Sequence, residues 1–366
     1  MKHCRRATSG EQSLPDPGEK YGAEVVKRPI TQLDLAERLG VTQMTVSHAI
    51  SGKGRMAQET RDRVLALASE LGYRPNGMAR RVQEGRYRGL ALLGSATRPA
   101  YNIWDQDFHI SVGTMLVERS WHLTESWLPG EGLADPAIVA GLLDRMMADA
   151  VLVHDVGEQP PVVEALLASH RVPTVWVNTG RRGDSVDFAD EAGATTAVQH
   201  LLAQGYQRPV LLMACDPADP DQHVSAGLRV SGWTAGCAAA GIQPRIVWPP
   251  TGRATEGLSR FLSGLLSSSD RPDALACYSY KELFAARIIA GDLHLRVGRD
   301  LGFMSFAKPD DVVYDRAYTV CGLDYPLLGR EAVAMAWRRL ESGRSQQQVL
   351  VPEAIVRGGS TTSRNG

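Results

Sequence analysis

A run of three short helical patterns, each with its own start or stop signal, constrains the fold of this chain more than any other feature. The first pattern has capping-box spacing at Thr31 and Asp34 and a glycine stop at Gly40. The second begins after Thr42, and the third covers 58–71. Three short helices with a tight glycine turn between the first two are typical of a helix-turn-helix unit.

The charge of the chain is concentrated around these helices. The whole protein has a formal net charge of −1, but Lys27 to Arg88 contains twelve Lys or Arg against six Asp or Glu. That segment therefore carries +6, and the remainder carries −7. A small basic unit joined to a larger acidic one indicates a polyanionic partner for the first unit.

After Arg88 the sequence changes to strand-length apolar runs that alternate with helical stretches, which is typical of parallel α/β sheets. The predicted strands are Leu90–Leu93, Ala150–Val153, Thr174–Val177, Val210–Met213, Ala274–Cys277, Leu301–Met304 and one or two within 349–357. The predicted helices are 108–120, 135–148, 160–169, 192–204, 225–241, 254–267, 280–291 and 325–342. The length suggests two such sheets, hence two lobes, with a boundary near Gly205.

Several classes of protein find no support in the sequence. No apolar stretch is long enough to span a bilayer, and the basic N-terminus leads into Gly10 and Pro15 rather than an apolar segment, which argues against a secretory signal. The five cysteines are scattered, which favours reduced thiols in a cytoplasmic protein. Nucleotide-binding and catalytic motifs are missing, and the acidic loop from Asp216 to His223 fits no established metal spacing. We therefore expect no enzyme activity, no cofactor and no metal.

Polar residues on the second helix point to DNA. This helix is too short and polar to serve only as core, and its N-terminal side chains are of the kind that contact base edges in the major groove. The residues predicted to read bases are Gln43, Met44, Thr45, Ser47 and His48. Thr31, Thr42 and Thr60 lie at or near helix N-termini, where they would suit phosphate contacts.

The run from Thr31 to Ser47 (TQLDLAERLGVTQMTVS) resembles the headpiece of the LacI/GalR family of bacterial transcription regulators. The likeness continues through Glu59–Val64 and through Leu71–Asn76 to Arg80. Beyond about residue 94 the chain looks, more loosely, like the periplasmic-binding-protein-like regulatory domain of that family. The segments that carry this weaker likeness are Asp190–Gly193, His200–Gly205, Arg229–Trp233, Leu328–Gly329 and Val356–Arg357.

The resemblance implies a dimer that binds a palindromic operator, with one recognition helix in each half-site. It also implies that 76–84 is a hinge helix whose last turn inserts Val82 into the minor groove, where the family has a leucine. DNA contacts would then include Arg55, Asn76, Ala79, Arg80 and Val82. His48 stands where many members have arginine, so it can donate to guanine without the bidentate fork of a guanidinium.

The predicted effector contacts are Tyr101, Trp104, Asp190, Arg229 and Tyr280. The first two follow the first strand at the edge where open α/β sheets bind ligands, although packing between lobes or protomers explains them equally well. Arg229 matches a family residue that contacts the effector. Other positions depart from the family: its usual carboxylates are replaced at Ser279-Tyr280 and at Ala307-Lys308. Losing carboxylates while keeping cations favours an anionic carbohydrate over a neutral sugar.

Together these features predict an α/β protein with an all-α helix-turn-helix headpiece and a two-lobed effector domain with parallel sheets. We expect a flexible tail over 1–28, a headpiece over 29–74, a hinge and linker over 75–87, an effector-binding and dimerisation domain over 88–360, and a tail over 361–366. The predicted function is a dimeric, cytoplasmic transcription regulator that represses and responds to a sugar, sugar acid or sugar phosphate. A regulator without a small-molecule effector and a sugar-binding receptor are the alternatives.

Overall fold

The computed structural model describes residues 28–52, 54–74, 85–95, 106–128, 135–154, 161–213, 223–249, 255–309, 312–313 and 316–364. The chain divides into two compact units. We call Met1–Arg80 the headpiece and Arg81–Gly366 the two-lobed domain. None of the helices in the described part of the chain is long and apolar enough to span a bilayer.

The headpiece contains three helices: α1 (Gln32–Leu39), α2 (Gln43–Ser51) and α3 (Gln58–Glu70). The predicted capping box is confirmed, because the Thr31 hydroxyl accepts the Asp34 N–H and the Asp34 carboxylate accepts the Thr31 N–H. Gly40 ends α1 with φ of 63°, a left-handed conformation that costs glycine little. Each helix contributes two residues to a common buried core: Leu35, Ala36, Val46, Ala49, Val64 and Ala68.

The N-lobe of the two-lobed domain is built on six parallel strands in the spatial order β2-β1-β3-β4-β5-β13. They are β1 (Gly89–Ser95), β2 (His122–Leu128), β3 (Ala150–His154), β4 (Thr174–Val177), β5 (Ser185–Phe188) and β13 (Val349–Val351). One face packs on α4 (Gln106–Glu118) and α11 (Tyr325–Ser342), and the other on α5 (Pro136–Arg145) and α6 (Pro161–Ser169). This arrangement buries both faces, which explains why β3, β4 and β5 are buried along their full length.

The C-lobe repeats this plan with the order β7-β6-β8-β9-β12-β14, in which β14 runs antiparallel to β12. Its strands are β6 (Pro209–Leu212), β7 (Ile246–Val247), β8 (Ala274–Cys277), β9 (Gly302–Ala307), β12 (Thr319–Gly322) and β14 (Ala354–Val356). Helices α7 (Asp190–Ala203) and α8 (Val224–Ala239) cover one face, and α9 (Thr255–Ser267) and α10 (Tyr280–Asp292) cover the other. A short hairpin, β10 (Val312–Val313) with β11 (Arg316–Ala317), lies outside both sheets.

The chain passes between the lobes three times. The first crossing joins β5 to α7 at Ala189, the second joins β12 to α11 at 323–324, and the third joins β13 to β14 at 352–353. The first crossing therefore precedes the boundary expected near Gly205. The reason is that α7 packs on α8 and the C-lobe sheet rather than on the N-lobe.

The structure also differs from the sequence-based predictions in some strands and at the C-terminus. The prediction of parallel α/β architecture is confirmed, but six strands were missed because they are short or carry polar residues: β2, β5, β7, β10, β11 and β12. Residues 361–364, expected to be a tail, instead attach to the C-lobe. Thr361 bonds to the ring of His200, and the backbone N–H of Arg364 bonds to the carbonyl of Gln204. The whole of the expected hinge helix, 76–84, and almost the whole N-terminal tail lie outside the described residues.

Candidate nucleic-acid interface and effector region

The start of α2 presents polar and apolar side chains to solvent. Thr42 caps the helix through its hydroxyl, which accepts the Thr45 N–H at 3.1 Å. Gln43 is exposed, and Met44 is 68% exposed, while Val46 and Ala49 fill the core on the opposite face. The first turn of α2 can therefore enter a groove without loss of the headpiece core.

The remaining residues predicted to read bases are half-buried. Thr45 hydrogen-bonds to Thr42 through its hydroxyl (Oγ1 to Oγ1, 2.9 Å), and Ser47 is partly covered. The ring of His48 lies against Gly54, where an added Cβ would come within 2.7 Å of Nδ1. Gly54 has φ of 83°, so both its backbone and the space beside it favour glycine.

The predicted phosphate contacts lie in different surroundings. The Thr31 hydroxyl bonds to Asp34 at 2.7 Å, so it already has a partner. Thr60 lies in the first turn of α3 and is half-buried, whereas Arg55 is exposed in the loop before that helix. The other predicted DNA contacts lie outside the described residues: Asn76, Ala79, Arg80 and Val82.

A bidentate ion pair joins Arg28 to Asp34 at the start of α1, with distances of 3.0 Å from Nη1 to Oδ2 and 2.6 Å from Nη2 to Oδ1. The hydrogen bond from Arg28 and then that from the Thr31 backbone hold the pKa of Asp34 well below its usual value. The negative carboxylate also lies in the first turn of α1, where the helix dipole favours it.

In the two-lobed domain, the predicted effector residues Asp190 and Arg229 contact each other. Nε of Arg229 donates to Oδ1 of Asp190 at 2.8 Å, and Nη1 donates to the carbonyl of Tyr278 at 2.9 Å. The guanidinium also lies over the Phe306 ring at 4.2 Å from its centre. Both side chains are almost fully buried. Burial opposes the charge of Arg229, but Asp190 and then Glu353 raise its pKa above the ordinary value.

A chain of hydrogen bonds continues from this pair to the N-lobe. The Tyr278 hydroxyl bonds to Ser225 at 2.8 Å, and Ser225 bonds to Nδ1 of His223 at 2.8 Å. Because Nδ1 also accepts the Ser225 N–H, the ring proton must reside on Nε2, which donates to the carbonyl of Asn178 at 2.9 Å. Since Asn178 directly follows β4, this chain connects the C-terminal ends of strands in the two lobes.

The other predicted effector residues do not join this network in the described structure. Tyr280, at the first position of α10, is 43% exposed, and it is Tyr278 that contacts Arg229 through its ring and carbonyl. Lys308 forms an ion pair with Asp107 of α4 at 2.6 Å, which is a second contact between the lobes. Tyr101 and Trp104 lie outside the described residues.

Sequence reasoning did not select Glu353 or Cys321, which lie beside the Arg229–Asp190 pair. Glu353 is 7% exposed, and its Oε2 accepts a hydrogen bond from the Cys321 thiol at 3.2 Å. Burial raises the pKa of Glu353 to about 8, against the effect of Arg229 and together with that of Asp190. Burial and then the charge of Glu353 raise the pKa of the Cys321 thiol. A single glutamate between two apolar strand patterns gave no signal for this role.

Comparison with known proteins agrees with this architecture. Residues 31–76 match the family model described as bacterial regulatory proteins, lacI family, and residues 198–361 match the periplasmic binding protein-like domain. The lactose operon repressor of Escherichia coli (strain K12) is 25% identical over 343 residues, covering 92% of each chain. The transcriptional repressor PurR of Erwinia tasmaniensis is 26% identical over 328 residues, covering 87% of this chain and 92% of its own.

Solved structures show the same fold. The lac repressor dimer bound to operator and the anti-inducer ONPF superposes with a TM-score of 0.76 at 22% identity, over 92% of this chain and 100% of that one. The complex of the regulator CelR with cellobiose gives a TM-score of 0.62 at 21% identity, over 90% of this chain and 99% of that one. The chain therefore joins a lacI-family helix-turn-helix domain to a periplasmic-binding-protein-like domain, and it is homologous to the lactose operon repressor and to PurR.

Proposed function

We propose that this protein is a transcription repressor that binds a palindromic operator as a homodimer and responds to a small molecule. The observation that carries the proposal is the headpiece: a capped α2 exposes Gln43 and Met44 within Lys27–Arg88, a segment with a net charge of +6. Such a unit supplies both elements of specific DNA binding, side chains for base edges and cations for phosphates.

Operator binding is tested with duplexes selected from a random library by the full-length protein. Replacing Gln43 with alanine should weaken binding to the selected operator about tenfold or more, since a good base contact contributes roughly 1–3 kcal/mol of discrimination. Affinity for random duplex should change little. Gln243→Ala, an exposed glutamine in the two-lobed domain, is the matched control. Equal loss on both duplexes would contradict base reading by α2.

His48 allows a second test of the same surface. Gly54→Ala should displace the imidazole, because the new Cβ would overlap the ring and the backbone is left-handed. We expect reduced operator affinity with unchanged tryptophan fluorescence, because all seven tryptophans lie in the two-lobed domain. Operator affinity equal to that of the wild type would remove His48 from the proposed interface.

Dimerisation is supported by apolar stripes on one helix of each lobe. On α4, Ile110 and Val117 are 56% and 73% exposed at helical spacing, and on α10, Tyr280 and Ile288 are also exposed. Exposed apolar stripes of this kind mark interaction surfaces, and a two-fold dimer matches two half-sites. Light scattering should give twice the chain mass of 39.7 kDa. Val117→Asp should shift the protein towards monomer, whereas Gln243→Asp, at an exposed residue outside both stripes, should not.

The effector is proposed to bind between the lobes, near the strand ends that carry Asn178 and Tyr278. We propose more specifically that the effector is an anionic carbohydrate. The ion pairs in this region determine what such a ligand must displace. Such a ligand must compete with Asp190 for Arg229 or with Asp107 for Lys308. Calorimetry with neutral sugars, sugar acids and sugar phosphates should show an anion whose affinity falls in Lys308→Gln but not in Lys281→Gln. A neutral sugar that binds both variants equally well would overturn the anionic class.

The alternative is a regulator without a small-molecule effector. It is favoured by the observation that Arg229 is already bonded to Asp190 and to the Tyr278 carbonyl. The absence of binding to every member of the panel, together with operator binding that none of them alters, would support this alternative. In either case the proposed place of action is the cytoplasm, at the nucleoid.

A further inference from the structure

The three crossings between the lobes bring ionisable side chains from distant parts of the sequence together. Asp190 follows the first crossing, Cys321 lies on the strand before the second, and Glu353 lies within the third. The crossings also touch directly, because the backbone N–H of Ala189 donates to the carbonyl of Val351 at 2.9 Å. A change in the charge of this cluster therefore acts on the segments that join the lobes.

The carboxyl group of Glu353 has little space and few hydrogen-bond partners. Its carboxyl group presses on the backbone of α7 at Gly193, where even a methyl group would overlap Oε2. Oε2 accepts from the Cys321 thiol, whereas Oε1 is buried and makes no hydrogen bond with the described part of the chain. A buried carboxylate oxygen without a donor is costly, so this geometry disfavours the ionised form.

Among the residues that the structure describes, the cluster has no second cation. Arg229 on α8 is the positive group facing Glu353, and its Nε and Nη1 are already bonded to Asp190 of α7 and to the Tyr278 carbonyl. The remaining ionisable neighbour is the Cys321 thiol of β12. Two carboxyl groups therefore share one guanidinium. A protonated Glu353 beside an ionised Asp190 satisfies the charge balance, which agrees with a Glu353 pKa of about 8.

We propose that Glu353 is a proton-linked positioning residue for the interlobe crossings. Its neutral form is buried beside the Arg229–Asp190 pair and stabilises the arrangement described above. Its ionised form favours arrangements in which 352–353 moves and the carboxylate reaches water. This inference depends on the proposed function only where it concerns operator binding.

The direction of the pH effect follows from proton linkage. The folded pKa of Glu353 lies near 8, above the ordinary value of 4.5, so the folded domain holds more protons than the unfolded chain between these values. Glu353 therefore makes the domain less stable as pH rises through this window. The loss approaches a factor of ten in the folding equilibrium constant per pH unit and is complete above about pH 8.

Urea unfolding followed by tryptophan fluorescence measures this effect in the full-length protein. The headpiece contains no tryptophan, so the signal reports on the two-lobed domain alone. Glu353→Gln should be close to the wild type near pH 4, below the ordinary glutamate pKa, where the glutamate is mostly neutral in both the folded and the unfolded protein, and it should become more than tenfold more stable than the wild type at pH 8. Glu341→Gln, at a carboxyl 69% exposed, should follow the wild-type profile at every pH. If the free energies of unfolding of the wild type and of Glu353→Gln change with pH in the same way, the proposal is wrong.

Infrared spectroscopy of the folded protein keeps the test decisive if Glu353→Gln does not fold. The wild type should show a protonated carboxyl band at pH 7 that disappears by about pH 9, and the band should persist in Glu282→Gln, which removes another buried glutamate whose pKa is raised by burial. If no such band is present at pH 7, the proposal is wrong.

Operator binding provides the functional readout. Between pH 7 and 9 the operator affinity of the wild type should change by more than that of Glu353→Gln, in which the side chain at 353 cannot ionise. Identical pH profiles of operator affinity would refute the coupling to regulation. A protein that binds no operator at any pH would refute the proposed function instead, and the unfolding profiles would still decide the role of Glu353.

Discussion

The headpiece and the two-lobed domain each place an Arg–Asp pair at the start of a helix, and the two pairs lie in opposite environments. In the headpiece, Arg28 is 75% exposed and binds Asp34 in the first turn of α1. In the two-lobed domain, Arg229 and Asp190, the first residue of α7, have side chains 6% and 2% exposed. The same two chemical groups are thus screened by water in one unit and shielded from it in the other.

This difference extends to what each unit offers a partner. The headpiece keeps its small core apolar and turns Gln43, Met44 and Arg55 outward, so its polar groups are available to DNA. The two-lobed domain buries its polar groups and pairs them internally, as in the Arg229–Tyr278–Ser225 network. An effector that binds there must therefore exchange partners with groups that already have them.

The largest effect is expected for Arg229→Met. It removes the partner of a buried carboxylate, and breaking a buried pair in this way costs about 3–5 kcal/mol. Urea unfolding by tryptophan fluorescence at pH 7 measures the loss. Replacing both partners, Arg229→Met with Asp190→Leu, should recover much of it because no charge is then left buried. A single variant as stable as the wild type would show that water reaches Asp190.

Leu35→Ala should unfold the headpiece while the two-lobed domain stays intact. Leu35 is fully buried in a core with only five other buried residues among those described, and truncation of such a leucine costs roughly 2–5 kcal/mol. A unit of this size has little stability in reserve. Operator binding should disappear and proteolysis within 31–72 should accelerate, with unchanged tryptophan fluorescence. Leu33→Ala, at a leucine 54% exposed in the same helix, is the control.

The comparison also shows which parts of the structure the sequence could predict. The headpiece follows from local signals: the caps at Thr31 and Thr42, the glycine stop at Gly40 and helical spacing define its helices. The buried strands of the two-lobed domain follow from apolar runs. By contrast, β2 was missed because an edge strand with one polar face lacks such a run, and no local signal shows that α7 belongs to the C-lobe.

Some residues of the effector region could be selected from the sequence, but their contacts with one another could not. Asp190 and Arg229 were both selected, yet their contact across 39 residues depends on how α7 packs against α8. Tyr280 was chosen where Tyr278 contacts Arg229, because the start of α10 decides which tyrosine turns inward. Glu353 gave no signal, since its burial results from the third crossing and not from its neighbours in sequence.

Thr42→Ala should have an intermediate effect. It removes the hydroxyl that accepts the Thr45 N–H, and loss of such a cap costs about 1 kcal/mol. The thermal transition is followed by circular dichroism in the full-length chain and in an isolated two-lobed domain. The difference between the two curves gives the transition of the headpiece. Thr42→Ser keeps the hydroxyl and should restore stability. If alanine and serine behave alike, the cap contributes little to the headpiece.

The smallest effect is expected for Arg28→Met, the exposed counterpart of Arg229→Met. Solvent and salt screen this pair, so its removal should lower headpiece stability at neutral pH only slightly. The pKa of Asp34 should nevertheless rise, because the hydrogen bond from Arg28 is the largest influence that lowers it. It should stay below the ordinary value, since the Thr31 backbone N–H and hydroxyl still bond to the carboxylate. Because a lowered folded pKa stabilises the folded state at pH values above the ordinary pKa, that contribution is present at neutral pH and is lost on acidification.

A carbon-detected NMR titration of the Asp34 carboxyl measures the shift. A pKa that returns fully to the ordinary value would mean that the capping box is formed only with help from Arg28, and the headpiece pair would then matter more than its exposure suggests.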